Sequence, residues 1–465
     1  MAMVETAIDR AGLDELTSGF RGQIVGRGDD EYDRHRTVWN GSIDHRPAVI
    51  ARCAGVADVM AAVRFGRSTG LPVAVRSGGH SFPGLSVCDD GLVIDLSLMR
   101  GIRVDPDART VRVQAGVTLG ELDRETQAFG MAVPAGIVTT TGVAGLTLGG
   151  GIGWLTRKYG LTIDQLLSVD MVTATGEFVK ASASENSDLF WGVRGGGGNF
   201  GIVTEFEFRL NPVGPQVLAG AIFWPMSESP KLMRFYRDWI AGAPDDLTTI
   251  VVHRKAPALP VIPEDLHGKP VVAVAACWAG DIETGERVLR PLKQFGQPVL
   301  DVCVPKPFVT HQSMFDPSFQ RGWQYYFRSC DLASISEPVM EIGLKYGEVI
   351  QSPITSFAMF QLGGAMRNVG DDETAFNGRA SGHTVNINGN ATAPDAFPAE
   401  RDWVRGFWSE LEPHNVGAYV NFLMDEGEDR VRRSYGPEKF LRLQQLKQRW
   451  DPENFFRLNQ NIAPA

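Results

Sequence analysis

Residues 76–81, Arg-Ser-Gly-Gly-His-Ser, follow directly after the apolar run Leu71-Pro-Val-Ala-Val75. Two consecutive glycines allow a backbone to adopt positive φ angles and to approach a ligand where a Cβ would clash. The N–H groups of such a turn form a concave surface that suits a phosphate oxygen, and His80 presents an imidazole beside it. Alone, the turn is a weak signal, because an ordinary turn histidine explains it better. Its meaning therefore depends on whether other segments agree with it.

Three further segments carry glycines and polar side chains that suit a large flat or phosphate-bearing ligand, although the glycines are also compatible with purely structural turns. They are Pro134-Ala-Gly136 with the run 139–154 and Arg157-Lys-Tyr-Gly-Leu161, then the run 188–201 with the strand-like residues 202–208, and finally Tyr419-Val-Asn-Phe422 with Asn459-Gln-Asn-Ile462. The piece Gly149-Gly-Gly-Ile-Gly153 lacks the Gly-x-Gly-x-x-Gly spacing of a dinucleotide-binding fold. The pattern therefore predicts a glycine-lined site of another kind.

The bulk composition is that of a soluble globular chain of two or three domains. The 465 residues carry a formal net charge of −10, which argues against nucleic acid or an anionic membrane as a partner because both need clustered basic side chains. No apolar run approaches the ~20 residues of a membrane span, and the polar residues 1–10 do not resemble a secretory signal. The five cysteines lack metal-type spacing, so we expect no bound metal, buried thiols and a cytoplasmic location. They are Cys53, Cys88, Cys277, Cys303 and Cys330.

The secondary-structure pattern predicts an α+β fold rather than the regular βαβ alternation of a doubly wound sheet. Short apolar strands alternate with helical stretches and tight hairpins between about residues 44 and 213. The pattern then changes, and residues 214–416 predict a second domain in which an antiparallel sheet is backed by helices. Residues 417–465 contain one further predicted helix, at about residues 438–448.

These motifs, in this order, resemble the berberine-bridge-enzyme-like oxidases of the vanillyl-alcohol-oxidase/p-cresol-methylhydroxylase flavoprotein superfamily. The resemblance extends from Arg46-Pro47 to the closing Asn-Gln-Asn-Ile462, which is nearly the whole chain. It implies an FAD-binding domain in two parts over residues 1–213, with a p-cresol-methylhydroxylase-type core at about 44–213. It also implies that residues 214–416 form the substrate domain and that residues 417–465 return to the FAD-binding domain.

The resemblance assigns most of the motif residues to the cofactor and makes His80 the expected covalent attachment point for the flavin 8α-methyl group. The turn residues expected around it are Arg76, Ser77, Gly78, Gly79 and Ser81. The residues expected to wrap the flavin and the ADP portion are Gly136, Thr141, Gly142, Gly145, Gly150, Gly151, Gly153, Tyr159, Gly160 and Asp164. The strand expected to meet the adenine contributes Ile202 and Val203, and the positions expected near the isoalloxazine ring are Tyr419, Asn421 and Asn459.

Two positions depart from the many relatives that attach the flavin twice. Val138 stands where those relatives have a second attachment cysteine, and Leu146 stands where they have a histidine beside the flavin N1/C2 edge. Both residues resemble the singly linked branch of the family, which includes 6-hydroxy-D-nicotine oxidase. We therefore expect FAD to be attached through His80 only, and to be less oxidising than in the doubly linked relatives.

The implied reaction is hydride transfer to flavin N5 from a carbon that bears oxygen or nitrogen. Tyr419 is the expected base, but a phenol with an ordinary pKa of about 10 needs a cationic neighbour to act near pH 7, and Tyr419 could equally pack beside the ring. Asn386 matches a strand position where some relatives carry a catalytic Glu or Gln; since an amide is not a base, we expect it to orient the substrate. Other pocket candidates, each also compatible with a structural role, are Gln361, His383 and Tyr325.

The sequence thus predicts an FAD-dependent oxidase that takes hydride from a small alcohol, sugar, amine or secondary metabolite and passes electrons to O₂, giving H₂O₂. Thr141 stands where the family controls oxygen access; its size resembles the valine of oxidases, but its hydroxyl is unusual. A dehydrogenase that uses another acceptor therefore stays open. The lack of an obvious strong base also leaves open a non-catalytic flavoprotein that sequesters a ligand or drug. The motifs specify neither the substrate nor the oligomeric state.

Overall fold

The computed structural model describes residues 10–258, 260 and 262–465, and its mixture of helices with mainly antiparallel sheets confirms the α+β class. Residues 1–9, which we expect not to form a secretory signal, lie outside the described residues. Sheets of four, five and eight strands organise the chain. Each of these sheets takes its strands from one continuous stretch of sequence.

The first sheet and its helices occupy the residues before position 100. These elements are α1 (Arg10–Ser18), β1 (Gln23–Gly26), α2 (Tyr32–Arg36), β2 (Val49–Arg52), α3 (Val56–Thr69), β3 (Val73–Arg76) and β4 (Leu92–Asp95). The strand order is β1-β2-β4-β3, with β2 and β3 parallel to β4. Helix α3 connects β2 to β3 and is capped at its C-terminal end by Gly70. This residue has a φ of +66°, which glycine adopts without strain. The turn predicted to bind phosphate therefore follows the end of a parallel strand.

The second sheet is antiparallel and carries the glycine-rich run in its connections. These elements are β5 (Ile102–Asp105), β6 (Thr110–Gln114), α4 (Leu119–Gln127), β7 (Met131–Ala132), α5 (Val143–Leu148), α6 (Thr156–Tyr159), β8 (Leu166–Val172), β9 (Phe178–Ser182), α7 (Ser187–Val193), β10 (Ile202–Arg209) and β11 (Asn211–Pro212). The order is β5-β6-β10-β8-β9, while β7 and β11 form a separate pair. In β10, Phe206 and Phe208 are buried whereas Glu205 and Glu207 are partly exposed, as alternation along a strand requires.

The third sheet is antiparallel and follows Pro215. Its elements are β12 (Gln216–Pro225), α8 (Ser229–Ile240), β13 (Leu247–Lys255), β14 (Pro270–Trp278), α9 (Ile282–Lys293), β15 (Leu300–Asp301), β16 (Val304–Pro307), α10 (Phe308–Gln312), β17 (Gln324–Leu332), α11 (Glu337–Glu348), β18 (Ser356–Gln361), β19 (His383–Ala391) and α12 (Phe397–Leu411). The order is β15-β12-β14-β13-β18-β19-β17, with β16 also paired to β12.

Strand alternation gives the third sheet two different faces. One face, which includes Val251 and Met359, forms an apolar core with α8, α9, α11 and α12. We call the opposite face, which includes Val252, Ala358 and Phe360, the inner face; it packs toward the glycine-rich run at Trp154. The predicted antiparallel sheet backed by helices is therefore present. Its inner face is the face on which a binding site can form.

The C-terminal segment packs against the first two sheets. Its helices are α13 (Glu428–Tyr435) and α14 (Pro437–Trp450). Leu443 and Leu446 of α14 join the apolar core of the first two sheets. Lys447 is fully buried beside them, pairs with Asp451 at 2.6 Å and donates a 2.8 Å hydrogen bond to the Asn199 carbonyl. These contacts fix the end of the chain next to the glycine-rich wall.

Candidate active site

A large cavity lies between the glycine turns and the inner face of the third sheet. Its volume is about 360 Å³, many times the ~10–15 Å³ that one water molecule needs on the same measure. Fifteen of the residues predicted from the sequence line this cavity. They are Ser77, Gly78, Gly79, His80, Ser81, Gly136, Thr141, Gly142, Gly145, Ile202, Val203, Asn386, Tyr419, Asn421 and Asn459. The fold therefore brings together side chains and backbone from both ends of the chain.

Two glycine turns touch each other at one wall of the cavity. A Cβ on Gly78 would lie 2.5 Å from the Gly142 nitrogen, and a Cβ on Gly142 would lie 2.5 Å from the Gly78 nitrogen. The neighbouring Gly79 has a φ of +67°, which favours glycine. Ser77 holds the first turn by donating a 2.6 Å hydrogen bond to the Ala115 carbonyl. Glycine at positions 78 and 142 is thus required for this crossing.

The His80 imidazole lines the cavity beside the crossing. Its ring stacks on the indole of Trp39 with 4.3 Å between centroids and an interplanar angle of 22°, and its Nε2 lies 3.0 Å from Thr140 Oγ1. Burial, with a smaller contribution from the Arg321 guanidinium, lowers the pKa of His80 to about 3. The ring is therefore neutral at physiological pH and retains a nitrogen lone pair.

Tyr419 lines the cavity, and its hydroxyl is held by two donors. Its oxygen accepts a 2.9 Å hydrogen bond from the Gly151 N–H and a 2.8 Å bond from Asn421 Nδ2. Burial raises the pKa of Tyr419 to about 12, although these hydrogen bonds oppose the change. Tyr419 would need a cationic neighbour to act as a base near pH 7. No cationic side chain among the described residues contributes to the pKa of Tyr419. The phenol is therefore protonated near pH 7.

The inner face of the third sheet contributes a polar row to the cavity wall. Asn388 pairs with Ser356 across β19 and β18, and Ser356 pairs with Arg254 across β18 and β13. All three residues line the cavity, as does Asn386 two positions before Asn388. The Oδ1 atoms of Asn386 and Asn388 are buried and accept no hydrogen bond from any described residue. Both amides are therefore available to a bound molecule.

Seven predicted cofactor residues do not line the cavity but support its walls. They are Arg76, Gly150, Gly151, Gly153, Tyr159, Gly160 and Asp164. Arg76 pairs with the buried Asp95 at 2.6 Å, and Asp164 pairs with Arg379 at 2.7 Å. The Tyr159 hydroxyl donates a 2.7 Å hydrogen bond to a backbone carbonyl. A Cβ on any of the four glycines would come within 2.8 Å of a neighbouring atom, so these glycines allow close packing behind the wall.

The three substrate-binding candidates differ from expectation, because none of them lines the cavity. Gln361 and His383 face each other on β18 and β19, but each is an odd number of residues from a cavity-lining position on its own strand, so alternation directs it to the other face. Gln361 instead accepts a 2.9 Å hydrogen bond from the Thr249 hydroxyl. Tyr325 stacks on Trp39 at 3.7 Å between centroids, which places it one ring away from His80.

Sequence reasoning missed several residues of this site. Trp39, Arg254 and Asn388 all line the cavity, yet none belongs to a glycine motif. The alternation of Asn386 and Asn388 was a usable signal for the second amide. Trp39 and Arg254 gave no local signal, because their roles depend on contacts between segments far apart in sequence.

The glycine-lined wall fits the FAD that the resemblance implies. A Cβ on Gly145 or Gly198 would meet nothing within 4 Å, so backbone there faces open space in the cavity. At the same wall, Asn459 Oδ1 is buried and has no hydrogen-bond partner among the described residues. Open glycine backbone, a free amide oxygen and the neutral His80 ring are together suited to a flat, phosphate-bearing group.

Comparisons with known proteins agree with this geometry. A family model for the FAD binding domain matches residues 47–182, and a second, described as berberine and berberine like, matches residues 418–463. The chain is 32 % identical to an FAD-linked oxidoreductase of Dictyostelium discoideum, with 97 % of each chain covered. It is 30 % identical to (R)-6-hydroxynicotine oxidase of Paenarthrobacter nicotinovorans, with 96 % of this chain and 97 % of that one covered.

A solved structure supports the same relationship. The chain matches the crystal structure of 6-hydroxy-D-nicotine oxidase from Arthrobacter nicotinovorans with a TM-score of 0.87 at 29 % identity, covering 96 % of this chain and 99 % of that one. Separately, no helix among the described residues combines the length and the apolar character needed to cross a bilayer.

Proposed function

The chain belongs to the berberine-bridge-enzyme-like family of FAD-linked oxidoreductases, and we propose that it is an oxidase with FAD attached covalently through His80 alone. The observation that carries this proposal is the joint position of His80, the Gly78–Gly142 crossing and the inner-face amides around one cavity. FAD, when bound, supplies a hydride acceptor at N5 and returns the electrons to O₂ as H₂O₂.

The residues proposed to hold FAD are those of the glycine-lined wall. The N–H groups of the Gly78-Gly79 turn and of Gly142 would face phosphate oxygens, which suit such a concave backbone surface. Ile202 and Val203, at the start of β10, would contact the adenine end. Asn421 and Asn459 contribute amides on the side of the flavin ring, where Asn421 also holds Tyr419.

Attachment at a single point is supported by the side chains at three positions. His80 is neutral and therefore has a nitrogen lone pair with which to form a bond. Val138 and Leu146 also line the cavity, and neither carries a nucleophile. None of the described cavity-lining residues is a cysteine, and all five cysteine thiols are buried elsewhere. We keep the proposal of a cytoplasmic location, with which unpaired thiols are compatible.

Substrate would be bound between the flavin site and the inner face of the third sheet. Asn386 and Asn388 offer unpaired amide oxygens that can accept hydrogen bonds from a substrate hydroxyl or amine. Tyr419 receives two hydrogen bonds and its own O–H has no acceptor among the described residues, so it can donate to the bound molecule. We therefore propose that Asn386 and Tyr419 orient substrate. Thr141 lines the cavity and is proposed to lie on the path of O₂.

The experiment that tests the proposed function is anaerobic bleaching of the flavin absorbance by a panel of alcohols, sugars, amines and hydroxy acids. We expect at least one class to bleach the flavin, and air to restore its absorbance with release of H₂O₂. Bleaching followed by slow reoxidation in air but fast reoxidation by a quinone or dye would identify a dehydrogenase instead. An absence of bleaching across the whole panel would overturn the proposal of an oxidase.

A further inference from the structure

Arg254 is a cation in the cavity wall to which the proposed FAD site assigns no role. It lies near the end of β13, on the inner face, and lines the cavity in the row with Ser356 and Asn388. Among the described residues that line the cavity, Arg254 alone carries a formal charge at neutral pH, because the His80 ring is neutral. The cavity wall therefore presents one fixed positive charge.

The partners of Arg254 are all neutral oxygens. Its Nη1 donates a 2.9 Å hydrogen bond to Ser318 Oγ, its Nε donates to the Lys255 carbonyl at 3.2 Å, and its Nη2 donates weakly to the Pro353 carbonyl at 3.5 Å. A guanidinium has five N–H groups, so two of them have no partner among the described residues. Burial lowers the pKa of Arg254 to about 10, and no carboxylate of the described chain opposes that change. The side chain is thus charged, held in position and not neutralised.

Arg254 is half-buried, and a cation that is partly removed from water in an apolar cavity is costly unless an anion accompanies it. Val252, Ala358 and Phe360 surround the polar row with apolar surface, which lowers the local dielectric and strengthens any charge interaction. The two remaining N–H groups are one on Nη1 and one on Nη2, and a planar guanidinium can bind a carboxylate through two parallel hydrogen bonds. A cationic amine would be repelled by the same charge.

We propose that Arg254 binds a carboxylate of the substrate, so that the oxidised molecule is an organic acid rather than a neutral sugar or a cationic amine. This inference rests on the proposed function, because it names the substrate class of the same cavity. Asn388 and Asn386 lie on the same face, across two strand spacings of about 4.8 Å each. They would accept hydrogen bonds from hydroxyl or N–H groups of the acid, whose carbon skeleton contacts Val252 and Ala358.

The test uses three probes of nearly equal shape and different charge: benzoate, benzamide and benzamidine. Each is titrated into the flavin-loaded protein and followed by calorimetry and by the flavin absorbance spectrum. We expect benzoate to bind at least about tenfold more tightly than benzamide, a difference typical of a charge-assisted pair, and benzamidine to bind most weakly. Arg254→Gln should remove the preference for benzoate, and Arg254→Lys should keep a reduced one. Arg234→Gln, which removes an exposed arginine of α8, is the matched control and should keep the full preference.

The outcomes separate this inference from the proposed function. Wild-type protein without flavin contradicts the proposed function before any probe is added. With flavin bound, equal affinity for benzoate and benzamide, or no benzoate binding up to about 10 mM, overturns the role of Arg254. A benzoate preference that persists in Arg254→Gln also overturns it. Loss of flavin from both folded Arg254 variants would show that the guanidinium serves a phosphate of FAD, and would equally overturn the inference.

Discussion

Tyr419 combines the reactive group of a catalytic base with surroundings that keep its proton in place. Two donors reach its oxygen, yet burial raises the pKa of Tyr419 to about 12. At pH 7 the phenol is therefore an oriented hydrogen-bond donor. This distinction matters because removal of a general base typically lowers a rate 10²–10⁴-fold, whereas removal of one hydrogen bond costs about 1 kcal/mol, or less than tenfold in rate.

Tyr419→Phe is predicted to keep the flavin and to slow its reduction by about fivefold, because the substitution removes the one hydrogen bond, worth about 1 kcal/mol, that the phenol would donate to the substrate. The measurement is anaerobic flavin reduction with the substrate that bleaches wild-type protein fastest, taken from pH 6 to pH 9. We expect no tyrosine ionisation in that range, since the pKa of Tyr419 is about 12. Tyr236→Phe, which removes a buried hydroxyl on α8 that bonds Thr249, is the control. A loss of a thousandfold or more, confined to Tyr419→Phe, would contradict a merely orienting phenol.

Individual residues of the site differ in how well the sequence alone predicted them. His80, Asn386 and Tyr419 stood in recognisable motifs, and all three line the cavity. Arg254 stands at the end of an ordinary apolar strand, so nothing local distinguishes it from a solvated arginine. Its position becomes meaningful only when β13, β18 and β19 are placed in register.

At the scale of elements, the crossing of two glycine turns determines whether the cofactor site can form. The turn after β3 and the turn before α5 touch at Gly78 and Gly142, where either Cβ would lie 2.5 Å from the other backbone. Such a distance is far below van der Waals contact, so a methyl group at either position must move one turn away from the other.

Gly142→Ala is therefore predicted to lower the flavin content of the purified protein at least severalfold and to lower its thermal midpoint. Overpacking of this kind typically costs about 1–3 kcal/mol. The control is Gly242→Ala, whose Cβ would meet nothing within 4 Å. The flavin-to-protein absorbance ratio of the two variants is the measurement. Full flavin content in Gly142→Ala would show that the crossing does not control cofactor binding.

A regular apolar pattern in the sequence makes a helix or strand predictable, and an element that lacks such a pattern is hard to predict. Helix α8 spans Ser229–Ile240, where apolar residues recur at the regular spacing of a helix. Strand β13 is buried along seven consecutive residues, so it lacks the alternation that would have revealed it. Gln361 and His383 were chosen for their strands and not by alternation, and both lie on cavity strands but on the opposite face of the sheet.

At the scale of the whole molecule, the two major parts of the chain meet at a buried carboxyl. Asp123 of α4 accepts a 2.9 Å hydrogen bond from Gln312 Nε2 of α10, and its second oxygen has no partner among the described residues. Burial raises the pKa of Asp123 to about 7, opposed only partly by Gln312. An unfolded chain would ionise this group near pH 4. The neutral form therefore contributes stability below pH 4 that is lost as pH rises through about 7.

Asp123→Asn is predicted to remove this pH dependence, because an amide keeps the bond from Gln312 without ionising. Relative to wild type, the free energy of unfolding of the variant should rise by about 3 kcal/mol between pH 5 and pH 8, since two pKa units correspond to about 2.7 kcal/mol. Urea midpoints at the two pH values measure the effect. The exposed Asp107→Asn is the control. A parallel pH dependence in Asp123→Asn and wild type would mean that Asp123 is already ionised in the folded protein.

The division of the chain into residues 1–213, 214–416 and 417–465 stays our proposal for its domains. It is supported by the placement of the first two sheets before Pro212 and of the third sheet after Pro215. It is also supported by the packing of α14 against the core of the first two sheets. Ordered motifs allowed this organisation to be predicted, whereas the substrate could not be, because its cavity wall is built from three strands that share no motif.

The central claim is that the cavity holds FAD bonded to His80, and a visible spectrum of acid-precipitated protein tests it most directly. Wild type and His80→Ala are compared, with His45→Ala as a control that alters a histidine paired with Asp89 at the surface. We predict a yellow pellet from wild type and from His45→Ala, and a colourless pellet from His80→Ala. A colourless wild-type pellet with free FAD in the supernatant would contradict the covalent bond, and wild-type protein without any flavin would contradict the whole account.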